Sequence, residues 1–259
     1  MRVLMIGDIV GAPGIAILKQ AVPQLRQEHQ LDLVVANAEN ATNGSGLSPK
    51  DYRQVRAAGV DAITLGDHIY KKNDIAEILQ KSDEPICKPA NYPSVAPGRD
   101  HIRLVVGDTN VAILSLMGRT FMRPVDCPFQ AADRVLNELN NWAKVIIVDM
   151  HAEATADKYL MVHHLKGRVS AVLGTHTHVQ TADEKIFPEG TAFLCDVGMT
   201  GPYDGILGRR ADRVLTTSIT FVPSYFDVSS GDLRLAGAIV DIDDATGKAT
   251  QIQRVMKYA

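Results

Sequence analysis

The chain has 259 residues, 46% of them hydrophobic, with 27 basic against 30 acidic side chains and a formal charge of −3. That is an ordinary composition for a soluble globular protein, long enough to bury a large core, and residues 1–259 read as a single domain. The balanced charge without a basic stripe gives no strong nucleic-acid signal. No apolar stretch approaches the roughly 20 residues that a membrane-spanning helix needs.

The first apolar run, "RVLMIGD" (2–8), meets an aspartate too early for a secretory h-region of about 7–15 residues, so it reads as a buried strand. "PGIAILKQAVPQLRQEHQ" (13–30) follows with Ile15, Leu18, Val22 and Leu25 at helical spacing. "LDLVVANAEN" (31–40) is a second strand. In "SPKDYRQVRAAG" (48–59), Ser48 can cap a helix, Pro49 suits its first turn, and Gly59 ends it. "VDAITLGDH" (60–68) is a third strand, before an excursion around residues 69–100 that contains the helix-like "YKKNDIAEILQ". "HIRLVVGDTNVAILSL" (101–116) predicts a hairpin turning at "GDTN". "KVIIVDMH" (144–151), "SAVLGTHTH" (170–178) and "TAFLCDVG" (191–198) are further strands. "LTTSITFVP" (215–223) and "AGAIVDID" (236–243) alternate and read as antiparallel strands. Apolar strand interiors and strand–helix–strand repetition predict an α/β fold, parallel at its centre and covered on both faces.

Ligands of open α/β sheets bind outside the carboxyl ends of the strands. Asp8, Glu39, Asn40, Asp67, His68, Asp149, His151, His176 and His178 all stand at such ends. Singly, each has a structural reading. Asp8 could cap the next helix, Glu39 and Asn40 could satisfy loop donors, Asp67 and His68 could open a helix, and His151 could be a bonded core residue. The pair His176 and His178 is harder to set aside, because alternate residues of an extended segment share a face. Imidazoles with carboxylates and no cysteine suit zinc, iron or manganese rather than a thiolate site. Asp8, Glu39, Asn40, Asp67, His151, His176 and His178 are more ligands than one ion uses, so two ions are expected, with Glu39 as the bridging carboxylate.

Other chemistries find less support. "GDIVGAPG" (7–14) lacks the Lys-Ser/Thr end of a P-loop and the spacing of a dinucleotide fingerprint. No serine stands in a nucleophile-elbow context. His29, His101, His163 and His164 lie in charged or helical surroundings, although His163 and His164 follow "HAEATADK" closely enough to reach the rim. Cys195 and Asp196 read as core or supporting residues. Three separated cysteines, Cys87, Cys127 and Cys195, make a disulfide framework improbable and a reducing cytoplasm the expected setting. The oligomeric state is open. A homo-oligomer is compatible with "GMTGPYDGILG" (198–208), which could be a site-edge loop or a subunit contact.

The joint pattern of "GD" at Asp8, "AEN" (38–40), "GDH" (66–68), His151 and "GTHTH" (174–178) resembles the calcineurin-like metallophosphoesterases. "DMHAEATADK", "GTHTHVQTAD" and "DVGMTGPYDGILG" are similar to the YmdB-type branch, and the likeness runs from "RVLMIGDIVGAPG" to "VDIDDATGKA". The resemblance implies a four-layer α-β-β-α sandwich with mixed sheets and two divalent ions, iron or manganese, with zinc as an alternative. It implies hydrolysis of a small-molecule phosphodiester, notably a 2′,3′- or 3′,5′-cyclic nucleotide. A phosphomonoesterase on the same centre, or a nucleotide- or RNA-binding regulator, are the other readings. It places Asp8, Glu39, Asn40 and His178 around one ion, and Glu39, Asp67, His151 and His176 around the other. His68 becomes the acid that protonates the departing ribose oxygen. Two features depart from the wider pattern. Val10 stands where many members have a histidine, so the Asn40 amide takes that place as in the YmdB branch, and Asp67 stands where the family usually has asparagine.

Overall fold

The computed structural model describes residues 1–139 and 141–259. The chain lays down half of one sheet, builds a second sheet, and returns to finish the first. It begins with β1 (Arg2–Ile6), β2 (Asp8–Ile9), α1 (Gly11–His29), β3 (Leu33–Asn37), α2 (Pro49–Ala57) and β4 (Ala62–Thr64). Ser48 caps α2 by accepting from the Asp51 amide at 3.2 Å. After the short α3 (Ala76–Leu79) come β5 (His101–Val106), β6 (Thr109–Met117), α4 (Pro128–Leu139), β7 (Val145–His151), α5 (Thr155–Leu165), β8 (Ala171–Thr175), β9 (Lys185–Ile186) and β10 (Ala192–Leu194). The return comprises β11 (Met199–Pro202), α6 (Ala211–Thr220), β12 (Leu233–Ile242) and β13 (Ala249–Tyr258).

In the first sheet β1, β3 and β4 run parallel, β12 lies antiparallel on the other side of β1, and β13 pairs with β12. β11 joins the start of β12 to β2. In the second sheet β6, β7, β8 and β10 are parallel, with β5 and β9 antiparallel at the edges.

Successive strand residues point to opposite faces, and here each face meets a different layer. Leu4, Ile6, Val34 and Ala36 pack under Leu18, Val22 and Leu25 of α1 and Val55 of α2. Val3, Met5, Leu33 and Val35 face Ile113, Val145, Ile147 and Leu173 of the second sheet. Leu114, Val148 and Val172 turn outward to Val135 of α4 and Met161 and Leu165 of α5. The result is helix, sheet, sheet, helix, the four-layer sandwich expected. Among the described residues no helix is long and apolar enough to cross a membrane.

One strand expectation fails. "LTTSITFVP" lies largely in α6, which has no buried residue. Its β-branched residues suggest a strand, but Ser218 and Thr220 donate their hydroxyls to the carbonyls of Val214 and Thr216, four residues back, which a helix accommodates. The "YKKNDIAEILQ" helix shrinks to a 3₁₀ turn (Asn73–Ile75) and the four residues of α3.

Candidate metal centre

Parallel strands finish on the same side of a sheet, so the ends of β1, β3 and β4 and those of β7 and β8 form two adjoining rims. Asp8 opens β2 directly after β1, Glu39 and Asn40 follow β3, and Asp67 and His68 follow β4. His151 is the last residue of β7, and His176 follows β8. Close approach depends on glycine. A Cβ on Gly66 would lie 2.2 Å from His151 Nε2 and 2.5 Å from Glu39 Oε2, and one on Gly174 would lie 1.7 Å from the Cys195 carbonyl oxygen.

Glu39, Asp67, His151 and His176 form the tightest group, with one ligand atom from each lying within 4.8 Å of all the others. His151 Nε2 stands 3.3 Å from Glu39 Oε1, 3.1 Å from Asp67 Oδ1 and 3.0 Å from His176 Nδ1. Beside it, His178 Nε2 lies 3.2 Å from the Asn40 amide nitrogen and 3.9 Å from Asp8 Oδ1. His68 Nδ1 lies 2.7 Å from Asn40 Oδ1, and its backbone amide donates to Glu39 Oε2 at 3.0 Å. All eight residues proposed from the sequence therefore meet in one place.

His176 and His178 arrive there by a different route from the one expected. β8 stops at Thr175, and the two histidines adopt left-handed backbone, with φ of 94° and 65°. Such strain in non-glycine residues persists only where the surroundings impose it. Between them, Thr177 is pinned to Asp196 Oδ2 through its amide (3.1 Å) and its hydroxyl (2.7 Å). Asp196 in turn accepts from the fully buried Lys158 of α5 at 2.8 Å.

The donor set fits cations. Asp8 is fully buried; its Oδ2 accepts from the His176 amide, while Oδ1 has no hydrogen-bond partner among the described residues. Burial pushes the Asp8 carboxyl up to about 7, against His151 and with help from Glu39 and Asp196. Burial opposes charge on His151, yet Glu39, Asp67 and Asp8 around it lift it well above the usual imidazole range. Against burial, hydrogen bonds from His151 and His176 hold Asp67 low. The cluster thus draws protons into positions that bound cations would neutralise.

The histidine tautomer is set from behind. Thr175 Oγ1 donates to Asp149 Oδ1 at 2.6 Å, so it accepts from His151 Nδ1 at 2.8 Å and leaves Nε2 facing the cluster. Asp149 is therefore not a rim residue. It is buried within β7 and also accepts from Thr64 and Asn37.

His163 and His164 do not reach the rim. They lie in the last turn of α5, against the Phe187 ring and Asp133 respectively. The 198–208 loop does reach it: the Leu207 carbonyl accepts from His178 Nδ1 at 3.2 Å. Three residues that the strand-end pattern overlooks, Glu153, Thr177 and Arg209, line the same cavity of about 310 Å³. Glu153 Oε2 stands 3.2 Å from His176 Nε2, and its place two residues past His151 is its only signal in the sequence. Arg209 donates to the carbonyls of Asn43, Gly44 and Phe226. No spacing marks it, because a distant loop carries it there.

The family model described as YmdB-like protein matches residues 4–255. A Bacillus subtilis (strain 168) protein named 2′,3′-cyclic-nucleotide 2′-phosphodiesterase is 43% identical, the alignment covering 99% of this chain and 97% of that one. The crystal structure of a hypothetical protein from Thermus thermophilus superposes with a TM-score of 0.94 at 40% identity, over 100% and 99% of the two chains. That of a novel phosphatase from Mycoplasma pneumoniae does so with 0.93 at 30% identity, over 100% and 93%.

Proposed function

The chain belongs to the YmdB-like family, and on that premise we propose that it is a metal-dependent phosphodiesterase that opens 2′,3′-cyclic nucleotides. The observation that carries the reading is the convergence of three carboxylates, an amide and four imidazoles from five strand ends into one cluster, of which Glu39, Asn40, His68, His176 and His178 line a cavity. Two divalent ions, iron or manganese, would complete it. Glu39, Asp67, His151 and His176 would hold one, and Asp8, Glu39, Asn40 and His178 would hold the other. Bound there, the ions supply Lewis acidity toward the phosphate and a water acidic enough to ionise near neutral pH.

The chain's own groups do the rest. His68 borders the cavity and is steadied at Nδ1 by Asn40 and at its backbone by Glu39, so its ring is placed to protonate the departing ribose oxygen. Arg209, bonded among the described residues only to neutral carbonyls, brings a positive charge to the anionic substrate. Glu153, half exposed at the mouth beside His176, opposes a second negative charge on the phosphate and so favours a diester over a monoester. The three cysteines are free thiols, and a reducing, cytoplasmic setting belongs to this reading.

The test is turnover of metal-loaded protein on 2′,3′-cyclic AMP, p-nitrophenyl phosphate and bis(p-nitrophenyl) phosphate, with elemental analysis of the same sample. Preference for the cyclic nucleotide with two metal ions per chain supports the reading. Preference for the monoester overturns it.

A further inference from the structure

A second cleft, of about 430 Å³, adjoins the metal-centre cavity and shares His178 and Leu207 with it. Its size falls within the range of small-molecule sites. Its other walls include Val179, Met199, Tyr203 and Met256. Met199 and Tyr203 come from the 198–208 loop, whose family-like motif the chemistry above leaves largely unused.

Several polar groups around this cleft are already engaged. Tyr203 Oη donates to the Met199 carbonyl at 2.8 Å. The Gln180 amide donates to the carbonyls of Val197, Gly237 and Val255, and Arg254 pairs with Glu184 at 2.9 Å. The Arg234 guanidinium stacks over the Tyr203 ring, 4.6 Å from its centroid, and fixes its orientation. What remains is apolar surface. Val179 and Leu207 are 57% and 49% exposed. The half-buried Met256 thioether and Tyr203 ring beside them, backed by the buried Met199, make a wall suited to a flat, polarisable partner. The partition between the two cavities is itself strained, with left-handed backbone at both His178 (φ 65°) and Leu207 (φ 49°).

We propose that this cleft is the nucleobase subsite, so that a cyclic nucleotide spans the partition with its phosphate at the metal centre and its base against Tyr203 and Met256. The proposal rests on the cyclic-nucleotide reading and deepens it. Because the walls offer mainly apolar faces, the subsite accepts any base and favours purines, which present more area.

The decisive comparison uses the metal-loaded chain with 2′,3′-cyclic AMP and with a base-free analogue, the 2′,3′-cyclic phosphate of methyl riboside. Stacking of one base predicts a kcat/KM roughly 10-fold or more higher for the nucleotide. Met256→Trp, which fills the cleft, should shrink that ratio toward one. Equal values for the two substrates in the unmodified protein overturn the subsite. Failure to hydrolyse either, with the aryl diester still turned over, overturns the cyclic-nucleotide reading instead. A second readout needs no turnover. In chelator-treated protein with methyl-labelled methionine, adenosine should shift the resonance of Met256 most among the eight methionines, and methyl riboside should not. Shifts confined to other methionines overturn the assignment.

Discussion

His68 is held at one ring nitrogen, 2.7 Å from Asn40 Oδ1, and borders the cavity without belonging to the tight group of four. His68→Gln should therefore keep its metal while kcat on 2′,3′-cyclic AMP falls about 10²–10⁴-fold. The loss on bis(p-nitrophenyl) phosphate should be much smaller, since that leaving group departs without a proton. An equal loss on both would remove the acid role. Asp67 adds a third carboxylate to Asp8 and Glu39, a formal −3 against +4 from two divalent ions. Asp67→Asn should bind metal more weakly, read by competition with a chelator, and turn over faster per loaded site because the ions become stronger Lewis acids toward an anion. Unchanged affinity and unchanged turnover would show that this carboxylate is electrostatically silent.

The link between α5 and the loop after β8 runs through one buried ion pair, Lys158 with Asp196, both at most 1% exposed. Removing one partner strands a charge, so Lys158→Met should cost about 3–5 kcal/mol in denaturant unfolding. It should also loosen Thr177 and the two histidines beside it, read as a lower metal affinity. Loss of stability without loss of affinity would separate the pair from the centre. At this scale the sequence is uneven in what it shows. Apolar runs ending in charged or imidazole residues mark the parallel strands, because such strands are buried on both faces and surface only at their ends. α6 reads wrongly as a strand because its threonines and isoleucine carry strand propensity, and its apolar residues at helical spacing, Leu215 and Ile219, stay exposed rather than packing on the core. β13 escapes recognition altogether: its inner and outer residues differ little in polarity along "ATQIQRVMKY". Arg209 is invisible for a topological reason, since only the folded loop brings it to the cavity, and Glu153 is marked by nothing but its nearness to His151.

The whole molecule carries a cost in its central cluster when no cation is bound. Asp8 at about 7 and His151 well above its ordinary value are both raised by folding. A raised group gives stability that is complete below its unfolded value and is lost as pH rises through the folded one. Glu39 and Asp67 are lowered, and so is His178, so their contributions are already complete above pH 7. Asp8 therefore gives up its contribution between its ordinary 3.8 and about 7, and His151 gives up its own as pH rises above its ordinary 6.5. Chelator-treated protein should thus lose thermal stability as pH rises above about 6.5, and added metal should restore it most at the alkaline end. A melting temperature flat with pH in the treated sample would contradict this. The order of the strands has a further result. β12, which lies against β1 and bonds Gly7 through the Ala236 carbonyl at 3.0 Å, is made almost last. Asp8 and Glu39 thus precede His151, His176 and His178 by more than a hundred residues of synthesis. The full set of eight donors therefore exists only once the first 178 residues have been joined.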